Sequence, residues 1–277
     1  MRKLLFANCR YFSKNTLFWA EIISCVLLSL WVLFANYSNK VREPMNPLYL
    51  ETPFFIVYQI LSIIFAAGVS LMVGTEYSDG TIRNKLVVGY TRSEIYFSTL
   101  ISIVGTSVAV IVTHGIVSYG IGYFLFGSFQ FPITQIIIGI VCSLLANLVF
   151  TTLFVTIALN CANKSISAVV SIFSSIIIIY VANIVGQRLI EPEMTYNEVI
   201  ISANNIQYGN LINNPAYVSG NIRKVFELIY DLLPSGQIMQ IQSLNFAHWK
   251  YWIVFSVILF SVITFIGYTI FRKKDIK

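Results

Sequence analysis

The sequence predicts an all-α polytopic membrane protein with six transmembrane helices, an N-terminal interfacial helix and a small extracellular segment between helices 5 and 6. Three observations carry this. Charged residues make up 11% of the 277-residue chain and hydrophobic ones 57%, whereas soluble domains carry about 25% charged residues. Six nearly uncharged runs each reach the ~20 residues a helix needs to cross hydrocarbon. Small residues recur within them at four-residue spacing, as in Ser62, Ala66, Ser70, Gly74 and in Ser167, Ser171, Ser175. That spacing lets helix backbones approach in lipid, where the hydrophobic effect gives little help. It fits packing within the chain or a dimer seam.

In chain order, residues 1–16 read as a helix in the headgroup layer. Lys3, Arg10 and Lys14 share one face and Leu4, Leu5, Tyr11 and Phe12 another, with Phe6 and Asn8 on the wrong sides. A disordered basic tail is the alternative. Spans follow at about 17–35, 54–73, 95–126, 133–159, 166–186 and 252–271. An outer loop over 36–53 holds Pro44, Pro47 and Pro53, the last placed to open the second span. Thr91-Arg92-Ser93-Glu94 fits a capping box, which starts the third helix before the bilayer. Residues 127–132 make a tight outer turn and 160–165 a tight inner one. Residues 187–250 form the sole sizeable water-exposed region, with an amphipathic helix near 221–233 that ends at Pro234-Ser235-Gly236. No tract reads as a cleavable signal peptide.

An even number of spans puts both termini on one side, and charge assigns that side. With the termini inside, Arg2, Lys3, Arg10, Lys14, Arg83, Lys85, Arg92, Lys164, Arg272, Lys273, Lys274 and Lys277 are inner. Lys40, Arg42, Arg188, Arg223, Lys224 and Lys250 are outer, a division of 12 against 6. The positive-inside rule then makes both termini cytoplasmic and accounts for the net charge of +6 without nucleic acid. The four cysteines (Cys9, Cys25, Cys142, Cys161) show no metal-ligand spacing.

The inner loop after the second span, GTEYSDGTIRNKLVVGYTR from Gly74 to Arg92, is richer in signals than a simple connection needs. It predicts a short transverse helix between glycines. Asp79 or Ser78 caps its start and Gly89 supplies a left-handed stop. Ile82, Leu86 and Val87 form an apolar face while Arg83 and Lys85 stay exposed. Glu76 sits at a membrane boundary, where it needs a basic partner or a backbone to cap. Such a peg suits a groove on a soluble protein or the headgroup layer.

The segment G-T-E-Y-S-D-G-T-I-R-N-K-L, followed by T-R-S-E-I-Y, resembles the signature of type-2, exporter-class ABC transporter permeases. The matching positions are Gly74, Glu76, Tyr77, Gly80, Thr81, Arg83 and Arg92, and Leu232 to Gly236 is similar to the stretch before that family's last span. The motif covers about 20 residues; the layout covers the chain, 1–277, as one permease domain. The resemblance implies that residues 74–94 form a coupling loop, with Gly74, Glu76, Tyr77, Asp79, Gly80, Thr81, Arg83, Leu86 and Arg92 as coupling residues. It implies two cytoplasmic ABC ATPase subunits as partners and a second copy or homologous permease beside this chain. It also implies that the region near 221–233 folds back to cap the pathway; an ordinary packed helix is the alternative. The chain lacks G-x-x-x-x-G-K-S/T, so it is expected to bind no cofactor and to be no enzyme itself, with ATP and Mg on the partner ATPase.

Few other residues suggest chemistry. His114, Asn147 and Asn183 are candidates for a pathway, set against a role in joining helices. Glu21 is expected to snorkel towards the surface, and His248, Trp249, Tyr251 and Trp252 to anchor the last span at the outer interface. Apolar walls suit a hydrophobic or amphipathic cargo. Abundant Ile, Asn, Lys and Tyr with modest Gly fit an AT-rich bacterial genome, hence a bacterial cell membrane; there the resemblance to type-2 permeases implies, by analogy, export of an antimicrobial or toxin-like peptide. Export of a lipid or drug, and a non-transporting immunity or sensor protein that binds peptides, are the alternatives.

Overall fold

The computed structural model describes residues 1–43, 48–161, 163–197, 199–202 and 205–274. Pro44, Pro47 and Lys277, used above, and Ala162 of the 160–165 turn lie outside them. The chain is an all-α polytopic membrane protein. Its six long apolar helices are α2 (Thr16–Arg42), α3 (Glu51–Ser78), α5 (Arg92–Phe126), α6 (Ile133–Cys161), α7 (Lys164–Ile190) and α10 (Trp249–Lys273). They are joined by α1 (Arg2–Lys14), α4 (Thr81–Val87), α8 (Gly220–Leu232) and α9 (Pro234–Gln242). Met1 meets Glu94 and Arg92 meets the Lys274 carbonyl, so both chain ends lie at one end of the bundle, the termini end.

Helix α3 is the axis, with buried residues along its whole length from Glu51 to Glu76. Against it lies α7, and the serine rows mesh: Ser62 Oγ is 3.0 Å from Ser175 Oγ, and Ser70 donates to Ser171 Oγ at 2.6 Å. A Cβ at Gly74 would stand 2.8 Å from Lys164 Cα. These small residues are consumed within the chain, which excludes them as a dimer seam.

The expected length of α5 holds. It has 35 residues, about 52 Å at 1.5 Å per residue, against ~30 Å of hydrocarbon. The Thr91–Glu94 capping box is present in both directions, at 3.3 and 3.0 Å. The overhang is covered by α1, which buries Leu4, Asn8 and Phe12 on it, with Asn8 Nδ2 donating to Ser98 Oγ at 3.1 Å. Asn8 therefore belongs to the packed face, while Tyr11 and Phe6 are exposed. The apolar face expected to meet headgroups is spent mainly on α5.

Two expectations fail at the far end. Within the range 36–53, residues 36–42 and 51–53 are helical, because α2 continues to Arg42 and α3 begins at Glu51. Glu51 accepts the Gln130 and Phe131 amides at 2.5 and 2.8 Å, which pins the α5–α6 turn onto α3. Residues 187–250 are only partly exposed. Two antiparallel pairs, β1 (Met194–Tyr196) with β4 (Leu211–Asn213) and β2 (Val199–Ser202) with β3 (Asn205–Tyr208), precede α8. Pro234 then starts a new helix instead of merely ending one, since a missing N–H costs nothing in the first turn. That helix, α9, wedges between α3, α6 and α7 and buries Ile238 and Ile241 completely.

Candidate functional site

The loop over 74–94 folds as one locked unit. Helix α3 stops at Asp79, its C-cap, and Gly80 turns the chain with φ +68°. Asp79 and Ser78 thus do not cap the short helix: its N-cap is Gly80, without a side-chain bond. The stop follows expectation. Gly89 (φ +99°) donates to Leu86 O at 3.0 Å, and Tyr90 to Lys85 O at 3.1 Å, a Schellman closure.

One ion pair holds α4 against α3. Lys85 Nζ lies 2.7 Å from Glu76 Oε1, with the carboxylate fully buried and the lysine nearly so. The expected exposed Lys85 is therefore the base that Glu76 requires. Periodicity could not show this, because a lysine on a seven-residue helix folds back only if a buried acid waits for it. Ile82 is buried and Leu86 packs partly against the core. Val87 does not join them. It and Val88 are 79% and 74% exposed, beside exposed Arg83 and Asn84. The free tip of the peg is apolar with a cationic edge.

Tyr77 and Arg92 turn inward. The Tyr77 hydroxyl donates to Leu159 O, and Lys274 Nζ sits 4.7 Å from the Tyr77 ring centroid. Lys274 also donates to Leu159 O at 3.1 Å and Asn160 O at 2.7 Å, and burial draws its ammonium below the usual lysine range. Arg92 donates to the carbonyls of Phe271 and Arg272, at 3.4 and 3.0 Å, and of Lys274. Cations thus close the C-terminal ends of α6 and α10, where free carbonyls and the helix dipole favour positive charge. The peg is tied through Tyr77 to α6, and the base of α5 through Arg92 to α10. Thr81 is half-buried at the start of α4. Sequence reading missed Lys274, which looked like one more basic flank.

The pathway candidates separate. His114 is in the core: Nε2 bonds Phe54 O at 3.0 Å, and Nδ1 meets Ser29 and Ser118 at 2.9 and 3.0 Å. Asn147 is also buried and donates to Tyr58 O and Ser143 O. Both join helices and border none of the cavities described below. Asn183 is exposed on α7 and lines a cavity of about 370 Å³ with Gln187 and Tyr230.

The far end holds a polar cluster that the sequence did not announce. Asp231 accepts from Gln240 Nε2 at 2.9 Å, Trp252 Nε1 at 3.0 Å and His248 Nδ1 at 2.7 Å. Gln237 accepts from Ser256 at 2.9 Å and donates to Asp231 O at 2.8 Å. Trp252 is fully buried and so is no interfacial anchor. Beside the cluster lies a cavity of about 300 Å³ bordered by Arg223, Glu227, Tyr230 and His248. Burial raises the Tyr230 phenol to about 12.

No protein-family model matches this chain, and no curated protein matches it.

Proposed function

We propose that this chain is the membrane subunit of an ATP-driven exporter of the type-2 ABC class, with α4 as its coupling helix. The observation that carries the reading is the tip of α4, where Val87, Val88 and Arg83 project from a peg locked by Glu76 and Lys85. An exposed apolar pair with a charged edge is the surface of a helix that enters a protein groove. Through Tyr77 the peg connects to α6, and through Arg92 the neighbouring base of α5 connects to α10. A push on the peg would therefore reach several spans as a rigid displacement. In this reading two such permeases work with two cytoplasmic ATPase subunits, which hold ATP and Mg. The membrane is that of a bacterial cell and the termini are cytoplasmic, in keeping with the 12-to-6 division of basic residues. The cargo is hydrophobic or amphipathic, an antimicrobial or toxin-like peptide above a lipid or drug.

The test is co-purification with ATPase subunits and turnover of the complex. Val88→Asp places a charge at the tip without touching the Glu76–Lys85 pair. Loss of the bound ATPase, with the fold intact, supports the reading; full assembly and activity would end it. A second reading, a peptide-binding immunity or sensor protein, has one observation in its favour. The 300 Å³ cavity carries Arg223, Glu227 and His248, which suit a polar peptide end.

A further inference from the structure

Glu21 is the one buried carboxylate whose two oxygens both lack a partner among the described residues. It does not snorkel. The side chain is 4% exposed and crosses to α3 at Gly68, where a Cβ would collide with Oε1. Gly68 thus leaves the space the carboxyl occupies. Around it opens a cavity of about 320 Å³, lined by Leu17, Ala20, Ser24, Ile63, Ile64 and Leu71 among others. That volume is at the lower end of ligand pockets, about 300–1,000 Å³.

An ionised carboxylate without a partner in an apolar cleft is costly, and groups of this kind inside spans mark ligand sites by default. The lining decides which cation fits. A bare metal ion needs several oxygen ligands, and here only the Ser24 hydroxyl joins the carboxylate. A quaternary ammonium is held by aromatic rings, and the lining has none. Two empty acceptors call for N–H donors, as an ammonium or guanidinium supplies.

Depth adds a second constraint. Glu21 is the sixth residue of α2, about 8 Å along the helix from its start at the termini end. Because α3 runs the opposite way, Ile63 and Ile64 lie further towards the bilayer middle than Gly68 does. A head at Glu21 therefore has its apolar wall on the side where a lipid-like tail points. On the α2 wall of the cleft Ala20 and Ser24 are exposed, so entry is lateral.

We infer that the cleft between α2 and α3 at Glu21 binds a cationic amphiphile, a primary ammonium or guanidinium on an alkyl chain, taken up sideways from the leaflet at the termini end. The site needs no ATPase partner, so its failure and failure of the exporter reading can be told apart.

The experiment uses the full chain in phosphatidylcholine nanodiscs, with dodecylamine as the probe and bound amine counted by native mass spectrometry. One saturable site is expected, weakened about tenfold or more by Glu21→Gln, the scale of one lost charged hydrogen-bonded contact. Gly68→Ala, which displaces the carboxyl, should weaken it similarly, and dodecyltrimethylammonium should bind the unaltered chain at least about tenfold less tightly. Equal amine uptake by the unaltered chain and Glu21→Gln would overturn the inference. So would tight binding of the trimethyl compound, or a change of oligomeric state in Glu21→Gln without loss of amine, which would assign Glu21 to a second copy.

Discussion

Lys85→Met is the sharpest test of how the peg is held. The pair spans 2.7 Å with both groups buried, so at an effective dielectric of ~20 the bare attraction is about 6 kcal/mol. Desolvation offsets much of it. Removing one partner of such a pair costs about 3–5 kcal/mol, because the other charge stays buried alone. Helix α4 has seven residues, well short of the ~12–15 at which isolated helices become marginal in water. Among the described residues, the ion pair, Ile82 and part of Leu86 are what hold it. Hydrogen exchange at the amides of Asn84, Val88, Gly89 and Tyr90, all bonded in α4 or its closure, should therefore quicken by about two to four decades. The rest of the bundle should exchange as before. Joint replacement of Glu76 and Lys85 by Met should recover most of the protection, since no lone charge remains. Unchanged exchange in Lys85→Met, or a double variant as mobile as the single one, would refute this account of the loop.

Two further outcomes follow from contacts elsewhere. Gly74→Val puts a branched side chain against the Lys164 backbone, and should lower stability by about 1–3 kcal/mol, read as a fall in the unfolding midpoint in detergent. Asp231→Ala strips the acceptor from Trp252 and Gln240; at about 1–3 kcal/mol per orphaned donor it should destabilise the far end and shift tryptophan fluorescence, whereas Asp231→Asn should cost less.

Some of this structure was legible in local sequence because local rules produce it. The Thr91–Glu94 box, the Gly89 stop and the serine spacing each depend on residues within one turn or on a fixed helical period. Other signals misled for the same reason. Asn8 broke an amphipathic pattern that assumed headgroups as its neighbour, and the neighbour is Ser98. Pro234 read as a terminator because proline ends helices as readily as it begins them. Val87 shared a predicted face with Ile82 and Leu86, yet α3 covers only part of that face.

By itself, then, the amino-acid order determined how many helices are long and apolar enough to cross hydrocarbon, where the third of them begins and which backbones can touch, since these follow from apolar length, capping and side-chain size. Tertiary structure alone decided which charges meet and which are left without company. Lys85 found Glu76 and Lys274 closed the end of α6, while among the described residues Glu21 found no partner. The reason is range: hydropathy and capping act within a few residues, whereas a buried charge is settled by whatever a distant segment brings to within ~3 Å of it.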